Sequence, residues 1–440
     1  MSNSTINKLQ SIFEKQKSYQ WQVRQTSARQ RIEKLMKLKD AILMRTHDLV
    51  EAAITDFVTP TMTAEHQIYA VTSAIDYTVE HLEQWMHPER VENPQDGEAY
   101  ILHESRGCVC IFGTWNSPMS VTIHPLVDAL AAGNCAIIKP SEFNPAYNQV
   151  LIEIIETVFD EQEVALVQGE ADVSEQLLKL PFDHFFFTGS PRIGKIVMRE
   201  AAEHLATVTL ELGGKSPVIV EKGYDPVKAT QTIVFGKVLM AGQFCVSPDY
   251  LFVHEDDLSG FVQAYQQMTL GMLYEDGKLR TTERTQIVNV AHYNRIKGLF
   301  KDALEKGATV LSGGTFDDEN RLIEPTLLGN VSADMRIADE EIFGPLTFVK
   351  TYNDISDVTR YIQANPKPLA LYIYSDDEHF QQQVLSATSS GGVTINGLFL
   401  HNTHLALPFG GVNNSGSGSF HGIHGFKTFS HQRAVYKVLS

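Results

Sequence analysis

From Gly107 to Leu212 short apolar runs alternate with amphipathic stretches, and that alternation is the strongest constraint on the fold. Cys108–Gly113, Cys135–Lys139, Val164–Gly169, His184–Gly189 and Val208–Leu212 read as strands, with helices starting near Pro118, Pro145, Asp172 and Pro191. Strands apolar along their whole length must be covered on both faces, which a parallel sheet with crossover helices achieves. The expected architecture is α/β and doubly wound, Rossmann-like, with ligands taken at the carboxyl ends of the strands.

The alternation resumes beyond Gly213. Strands are expected near Ser216–Val220, Tyr250–His254, Ala308–Leu311, Leu346–Thr351, Leu369–Tyr374 and Val393–Ile395, and helices near Val227–Met240, Leu258–Met272, Thr282–Lys306, Ile355–Asn365 and Glu378–Ala387. This reads as a second α/β domain. Upstream, Ile32, Leu35, Met36, Leu38, Ile42 and Leu43 recur at helical spacing behind Ser27, a suitable N-cap. Pro60 interrupts that period, and a second helical run covers Thr63 to Trp85. Pro88, Pro94 and Asp96-Gly97 mark a break, and Glu98–Arg106 reads as a strand, half of a hairpin. The last forty residues are rich in Gly, His and Asn and end in a strand-like run, Arg433–Leu439.

A chain of 440 residues has room for two or three domains. Its formal net charge of −17 argues against nucleic-acid binding and against adsorption to anionic membranes. Cys108, Cys110, Cys135 and Cys245 match no zinc spacing and no Cys-x-x-Cys motif, so neither a metal nor a disulfide framework is expected. The polar N-terminus and the lack of a bilayer-length apolar run predict a cytoplasmic protein.

Several segments carry chemistry. In His184-Phe-Phe-Phe-Thr-Gly-Ser-Pro191 a strand runs through Gly189 into a helix that Ser190 caps and Pro191 opens, a site suited to a pyrophosphate. The spacing to Gly194 is Gly-x-x-x-x-Gly, and an ordinary strand-to-helix turn reads the same way. Lys139-Pro-Ser141-Glu142 ends a strand and could hold the hydroxyls of an adenosine ribose; alone it equally describes a solvated loop. In Thr209-Leu-Glu211-Leu-Gly-Gly-Lys215 a carboxylate lies inside an apolar strand, where burial moves it toward general-base duty, unless it faces solvent at the strand end. Met240-Ala-Gly-Gln-Phe-Cys245 puts a thiol on a loop after a helix, a nucleophile or a buried structural Cys. Asn116, in Thr114-Trp-Asn-Ser-Pro118, is a neutral donor for an oxyanion or simply a turn residue. Glu341 and Phe343, in Glu340-Glu-Ile-Phe-Gly-Pro345, could meet a ribose and a nicotinamide face, and Leu407-Pro-Phe-Gly-Gly411 is a further glycine turn.

Taken together and in order, Asn116, Lys139, Gly189, Glu211, Cys245 and Glu341 resemble the aldehyde dehydrogenase superfamily. The detail is closest to the class 3 and coniferyl-aldehyde dehydrogenase branch. Glu211-Leu-Gly-Gly-Lys-Ser-Pro217, Pro248-Asp-Tyr250, Ile323-Glu-Pro-Thr-Leu327 and Phe429-Ser-His431 carry the same likeness, which extends from the first helices to about His431. The resemblance implies an NAD(P)-dependent enzyme, with NAD accepted and NADP possible. It oxidises an aldehyde to a carboxylic acid through a Cys245 thiohemiacetal and thioester. Asn116 and the Cys245 N–H would hold the oxyanion, and Glu211 would activate water. Trp115, Lys139, Ser141, Glu142, Gly189, Ser190, Gly194, Leu212, Gly213, Glu341 and Phe343 would bind the cofactor. Phe112, Ser117, Phe244, Phe399 and Phe409 suggest a tunnel for an apolar or aromatic aldehyde, although an aromatic residue near a motif also packs cores.

The implied domains interleave: residues 1–82 and 104–210 bind cofactor, 211–396 are catalytic, and 83–103 with 397–440 form a bridging piece through which a homodimer would assemble. The chain departs from the family pattern at Thr114, Ser117, Gly397 and Asn413, which bears on substrate range, and Ser117 would widen the tunnel. It also stops at Ser440 without the C-terminal extension some class 3 relatives carry, which implies a soluble enzyme. A CoA-acylating relative would lack the Glu211 base; a non-catalytic member would lack Cys245 or Glu211; a cysteine hydrolase would need a His tied to Cys245, and no motif supplies one.

Overall fold

In the computed structural model, which describes residues 3–92, 94, 96–276, 278–280 and 284–439, the N-terminal helical period forms four helices, Asn3–Arg24, Ala28–Met44, Thr46–Asp56 and Thr61–Met86. Ser27 caps the second one in a capping box: its side chain accepts from the Gln30 N–H while the Gln30 side chain accepts from the Ser27 N–H. The apolar stripes of these helices, among them Leu35, Leu38, Val71, Ile75 and Leu82, join one buried cluster with the wholly buried helix Ile123–Ala132.

Six strands form the first sheet, in the order Gly416–Ser417, Thr207–Leu212, His184–Gly189, Cys108–Phe112, Cys135–Lys139, Val164–Leu166. All pairs are parallel except the first. The winding direction reverses between Cys108–Phe112 and His184–Gly189, so the crevice of a doubly wound sheet opens beyond the carboxyl ends of those two strands. Side chains alternate across the sheet. Cys108, Cys110, Phe112, Leu210 and Leu212 join one buried cluster, whereas Val109, Ile111 and Phe186 join the other. The thiols of Cys108, Cys110 and Cys135 are sealed, and burial pushes each one up.

A second sheet of seven strands runs Thr309–Ser312, Thr326–Gly329, Leu346–Tyr352, Pro248–His254, Ser216–Val220, Ala370–Tyr374, Gly392–Ile395. Only Thr309–Ser312 runs antiparallel. A third, three-stranded antiparallel sheet joins Glu89–Arg90 and Gly97–Ser105 to Ser430–Val438, so the two ends of the expected bridging piece are hydrogen-bonded to each other.

The expected elements shift in three places. The helix placed near Pro118 starts at Ile123, because residues 117–122 turn first, with Val121 N–H bonded to Ser117 O and Ile123 N–H to Met119 O. The helix placed at Thr282–Lys306 is Val290–Glu305, opened by the Asn289 side chain accepting from the His292 N–H; Thr282 lies outside the described residues. The boundary at residue 211 falls inside the Thr207–Leu212 strand: the chain passes from the first sheet to the second at residues 213–215, and Glu211 belongs to the first. The C-terminal portion also enters that sheet, through Gly416–Ser417.

Candidate active site

Cys245 lies on the connection between the helix Pro226–Val238 and the strand Pro248–His254. Leu239–Gly242 forms a short turn in which Met240, Ala241 and Gly242 all have left-handed backbone, φ 51°, 52° and 67°. For the two non-glycine residues that conformation costs roughly 1–2 kcal/mol each, so the surroundings must impose it. Gln243 is the main restraint. Its Nε2 donates to Met240 O at 3.1 Å and Gln286 O at 3.0 Å, and its Oε1 accepts from Val288 N–H at 3.0 Å. Tyr372, fully buried on the second sheet, donates its hydroxyl to Val246 O at 2.6 Å.

The Asn116 amide reaches the same loop. Its Nδ2 donates to Gln243 O at 3.1 Å, and its Oδ1 accepts from the Thr114 hydroxyl at 3.4 Å. One N–H is thereby engaged and the orientation of the amide fixed, so its second N–H is the one available to a ligand. Glu211 faces away from Leu210 and Leu212, is 4% exposed, and has no hydrogen-bond partner at either carboxylate oxygen among the described residues. It therefore does not lie at a solvated strand end, and burial holds its pKa well above the usual carboxylate range. Burial also pushes the half-buried Cys245 thiol up to about 12, with smaller contributions from Glu341 and Glu211; the backbone N–H groups of Cys245 and Val246 pull it back. The Asn116 amide thus bonds the loop that carries Cys245, and the charge of Glu211 acts on the thiol.

Of the expected cofactor residues, Lys139, Gly189 and Leu212 stand at the carboxyl ends of strands of the first sheet. Lys139, buried at the end of its strand, pairs with Glu142 at 3.0 Å, and the Ser141 hydroxyl accepts from Phe143 N–H. Gly189 leads to Ser190, whose side chain caps the twelve-residue helix Pro191–Ala202 at Ile193 N–H. Gly194 on that helix packs against Leu212 so closely that a Cβ would meet the Leu212 side chain. At Gly213 a Cβ would overlap the Glu341 carboxylate, which accepts the Gly214 N–H at 3.2 Å. A cavity of about 220 Å³ opens here, lined by Pro191, Gly213, Gly214, Lys215 and Glu341 among others. The cavity extends from the start of the helix Pro191–Ala202 past two glycines to Glu341, whose charge acts on the Cys245 thiol, and a helix N-terminus beside glycines at strand ends fits a dinucleotide. Phe343, itself left-handed at φ 45°, packs edge-on to Trp115 at 5.7 Å, and Trp115 packs edge-on to Phe57 at 5.3 Å. Burial pushes Glu341 up to about 8, and the charge of Asp249 adds to the rise.

The five expected tunnel residues divide. Phe244 lies edge-on to Phe399 at 5.4 Å, Phe399 reaches Tyr372 at 6.2 Å, and Phe409 stacks on His401 at 6.4 Å. Ser117 is buried next to Asn116. Phe112 lies apart from them. It shares the parity of Cys108 and Cys110 and stacks against Phe185, in the cluster that holds Leu9 and Phe13 on the opposite side of the sheet from Glu211. Strand alternation, applied to residues 108–112, gives that orientation. Gln243 and Tyr372 were not singled out in the sequence. Gln243 stands inside the Gly-Gln-Phe-Cys run, and a Tyr in a central strand must place its hydroxyl somewhere.

The chain matches the aldehyde dehydrogenase family over residues 1–435. It is 40% identical to the Pseudomonas aeruginosa protein named "Probable coniferyl aldehyde dehydrogenase", over 99% of this chain and 92% of that one. It is 36% identical to the Rattus norvegicus "Aldehyde dehydrogenase, dimeric NADP-preferring", over 98% and 93%. A solved structure described as the substrate bound state of Staphylococcus aureus AldH superposes with a TM-score of 0.93 at 36% identity, covering 98% of this chain and 94% of that one.

Proposed function

The chain belongs to the aldehyde dehydrogenase family and oxidises aldehydes with NAD(P), and we propose that Cys245 is the nucleophile, Glu211 the general base and Asn116 the oxyanion donor of that reaction. The observation that supports this reading is Glu211: a buried carboxylate with both oxygens unpartnered among the described residues, electrostatically coupled to the thiol. The Cys245 thiol gives up its proton to solvent and reacts as the thiolate. The sulfur then adds to the aldehyde carbon, and the Asn116 amide with the Cys245 N–H receives the charge that develops on oxygen. The nicotinamide cofactor, when bound, supplies the hydride acceptor. Once the protein carries a thioester at Cys245, Glu211 draws a proton from water, which attacks the acyl carbon and releases the carboxylate.

Lys139 and Glu142 hold the adenosine ribose in this reading, Ser190 and its helix the pyrophosphate, and Glu341 the nicotinamide ribose, with Trp115, Ser141, Gly189, Gly194, Leu212, Gly213 and Phe343 shaping the channel. The nearby Glu142 carboxylate favours NAD, and Lys139 leaves NADP acceptable. The rings of Phe244, Phe399 and Phe409 support an apolar or aromatic aldehyde. We assign the first sheet to cofactor binding, the second to the catalytic portion, and residues 83–103 with 397–440 to a bridging piece. Its edge strand Ser430–Val438 exposes Tyr436 and Val438, which supports a homodimer. Cysteines that are all free thiols suit a reducing compartment, which supports a cytoplasmic location.

A panel of aldehydes from short aliphatic to aromatic, assayed with both cofactors, tests the reading. Cys245→Ser should abolish oxidation of every member, and undiminished turnover removes Cys245 as nucleophile. Glu211→Gln should give a burst of reduced cofactor followed by a stall, with steady-state turnover lower by about 10²–10⁴-fold. Wild-type turnover in that variant removes Glu211.

A further inference from the structure

Lys237 is the penultimate residue of the helix Pro226–Val238, two positions before the left-handed turn that delivers Cys245. Its side chain is completely buried. An interior ammonium is costly unless its surroundings compensate it, so its placement calls for a reason. Its Nζ donates to Gly344 O at 3.2 Å. Gly344 belongs to the loop that carries Glu341 and Phe343, and Gly242 packs so closely on that same carbonyl that a Cβ there would overlap it. The carbonyl of Gly344 is thus the point where the nucleophile loop and the loop of residues 340–345 touch, and Lys237 binds it from the helix that launches the nucleophile.

Other charged groups grip that second loop from its far side. Lys215 donates to Ile337 O and Glu340 O, each at 2.9 Å, and to Asp249 at 3.0 Å. Arg295 donates to Glu341 O at 3.1 Å and Ile342 O at 2.6 Å, and the Asp249 carboxylate accepts the Ile342 N–H. These contacts fix the loop to the second sheet and to the helix Val290–Glu305. Lys237 alone among these cations ties it to the helix leading to Cys245. Burial pushes the Lys237 ammonium down to about 8, while the charges of Asp249 and Glu341 favour it.

We propose that Lys237 is a positioning residue for hydride transfer: by clasping Gly344 O it fixes the Glu341–Phe343 loop, and the nicotinamide end of the cofactor, at the right distance from the Cys245 sulfur. The inference rests on the roles given above to Cys245 and Glu341. Lys237 touches neither reacting atom, and its effect passes through the loop. Losing the clasp should therefore disturb cofactor placement and the hydride step more than the reactivity of the sulfur.

Lys237→Met, of similar length and uncharged, and Lys237→Arg, which keeps the cation, test this in the full-length enzyme with benzaldehyde and 1-deuterated benzaldehyde. Three quantities are read: KM for the nicotinamide cofactor, the deuterium isotope effect on turnover, and the rate of Cys245 alkylation by iodoacetamide. Lys237→Met should raise the cofactor KM about tenfold or more and give a larger isotope effect than wild type, with alkylation within about twofold of wild type. Lys237→Arg should recover most of the cofactor affinity. A Met variant with wild-type KM and isotope effect overturns the proposal. So does a Met variant in which alkylation changes as much as KM, since that signals general disruption. Should the Met variant not fold, Lys237→Gln replaces it under the same criteria. An inactive wild type in the same assay removes the functional reading, and this inference with it; an active wild type with indifferent variants removes this inference alone.

Discussion

Two loops meet near Cys245, at Gly242 and the Gly344 carbonyl, and they are held by opposite means. Residues 239–247 keep their shape through backbone geometry: three consecutive left-handed residues, a buried Gln243 with all its amide atoms bonded, and a tyrosine hydroxyl on Val246 O. Residues 340–345 are held by charge: Lys215, Lys237 and Arg295 take the carbonyls and Asp249 takes an N–H. The first arrangement holds the Cys245 loop tightly and leaves no room for a Cβ at Gly242. The second holds the Glu341 carboxyl in a fixed place while leaving it responsive to protonation.

That contrast can be attacked from either side. Among changes to the loops and the groups they hold, the largest effect is expected at Asn116, whose amide is oriented by the strained loop. Asn116→Leu should lower kcat about 10²–10³-fold, the usual result of removing an oxyanion donor. A loss under tenfold would mean the amide is aimed elsewhere. Gly242→Ala comes next. Its Cβ would need the space of Gly344 O at φ 67°, so turnover should fall about 100-fold with a lowered Tm. Wild-type kinetics in the alanine variant would show that the two loops have slack between them.

The smallest effect concerns the charged loop. The Glu341 carboxyl ordinarily titrates near 4.5, and in the folded chain it holds its proton up to about 8. The folded state therefore binds that proton more tightly than the unfolded one. The stabilisation from this group is complete below about pH 4.5 and is lost as pH rises toward 8. Glu341→Gln should flatten the decline of Tm across that window by about 2–4 °C. Parallel Tm curves for the two proteins would place the proton elsewhere.

The clamped loop was the more legible of the two. Glu341 and Phe343 stand in a glycine-proline run that announces a turn, and Ser190-Pro191 announces a helix start that the structure contains. The strained loop was visible only as a cysteine after a glycine. Nothing in the types of Met240 or Ala241 signals left-handed backbone, because tertiary contacts impose it against their preference. Phe112 stands beside a motif, yet the two-residue period of its strand sends it to the face opposite Glu211. The helical period before Lys306 does not by itself mark where the helix begins; the Asn289 cap does. Lys237 lies in a helix of weak polarity contrast, and a charged residue there reads as surface until its burial is seen.

The pairing of Gly416–Ser417 with the strand that bears Glu211 has a consequence for biosynthesis. While the chain emerges from the ribosome, that strand has no outer neighbour until more than two hundred further residues have been translated. Until then it presents an open edge, the kind of edge on which nascent chains stick to one another. The sheet that bears Glu211 is therefore completed only when Gly416–Ser417 pairs with that strand, and a prematurely terminated product would carry Cys245 and Glu211 with the edge still open.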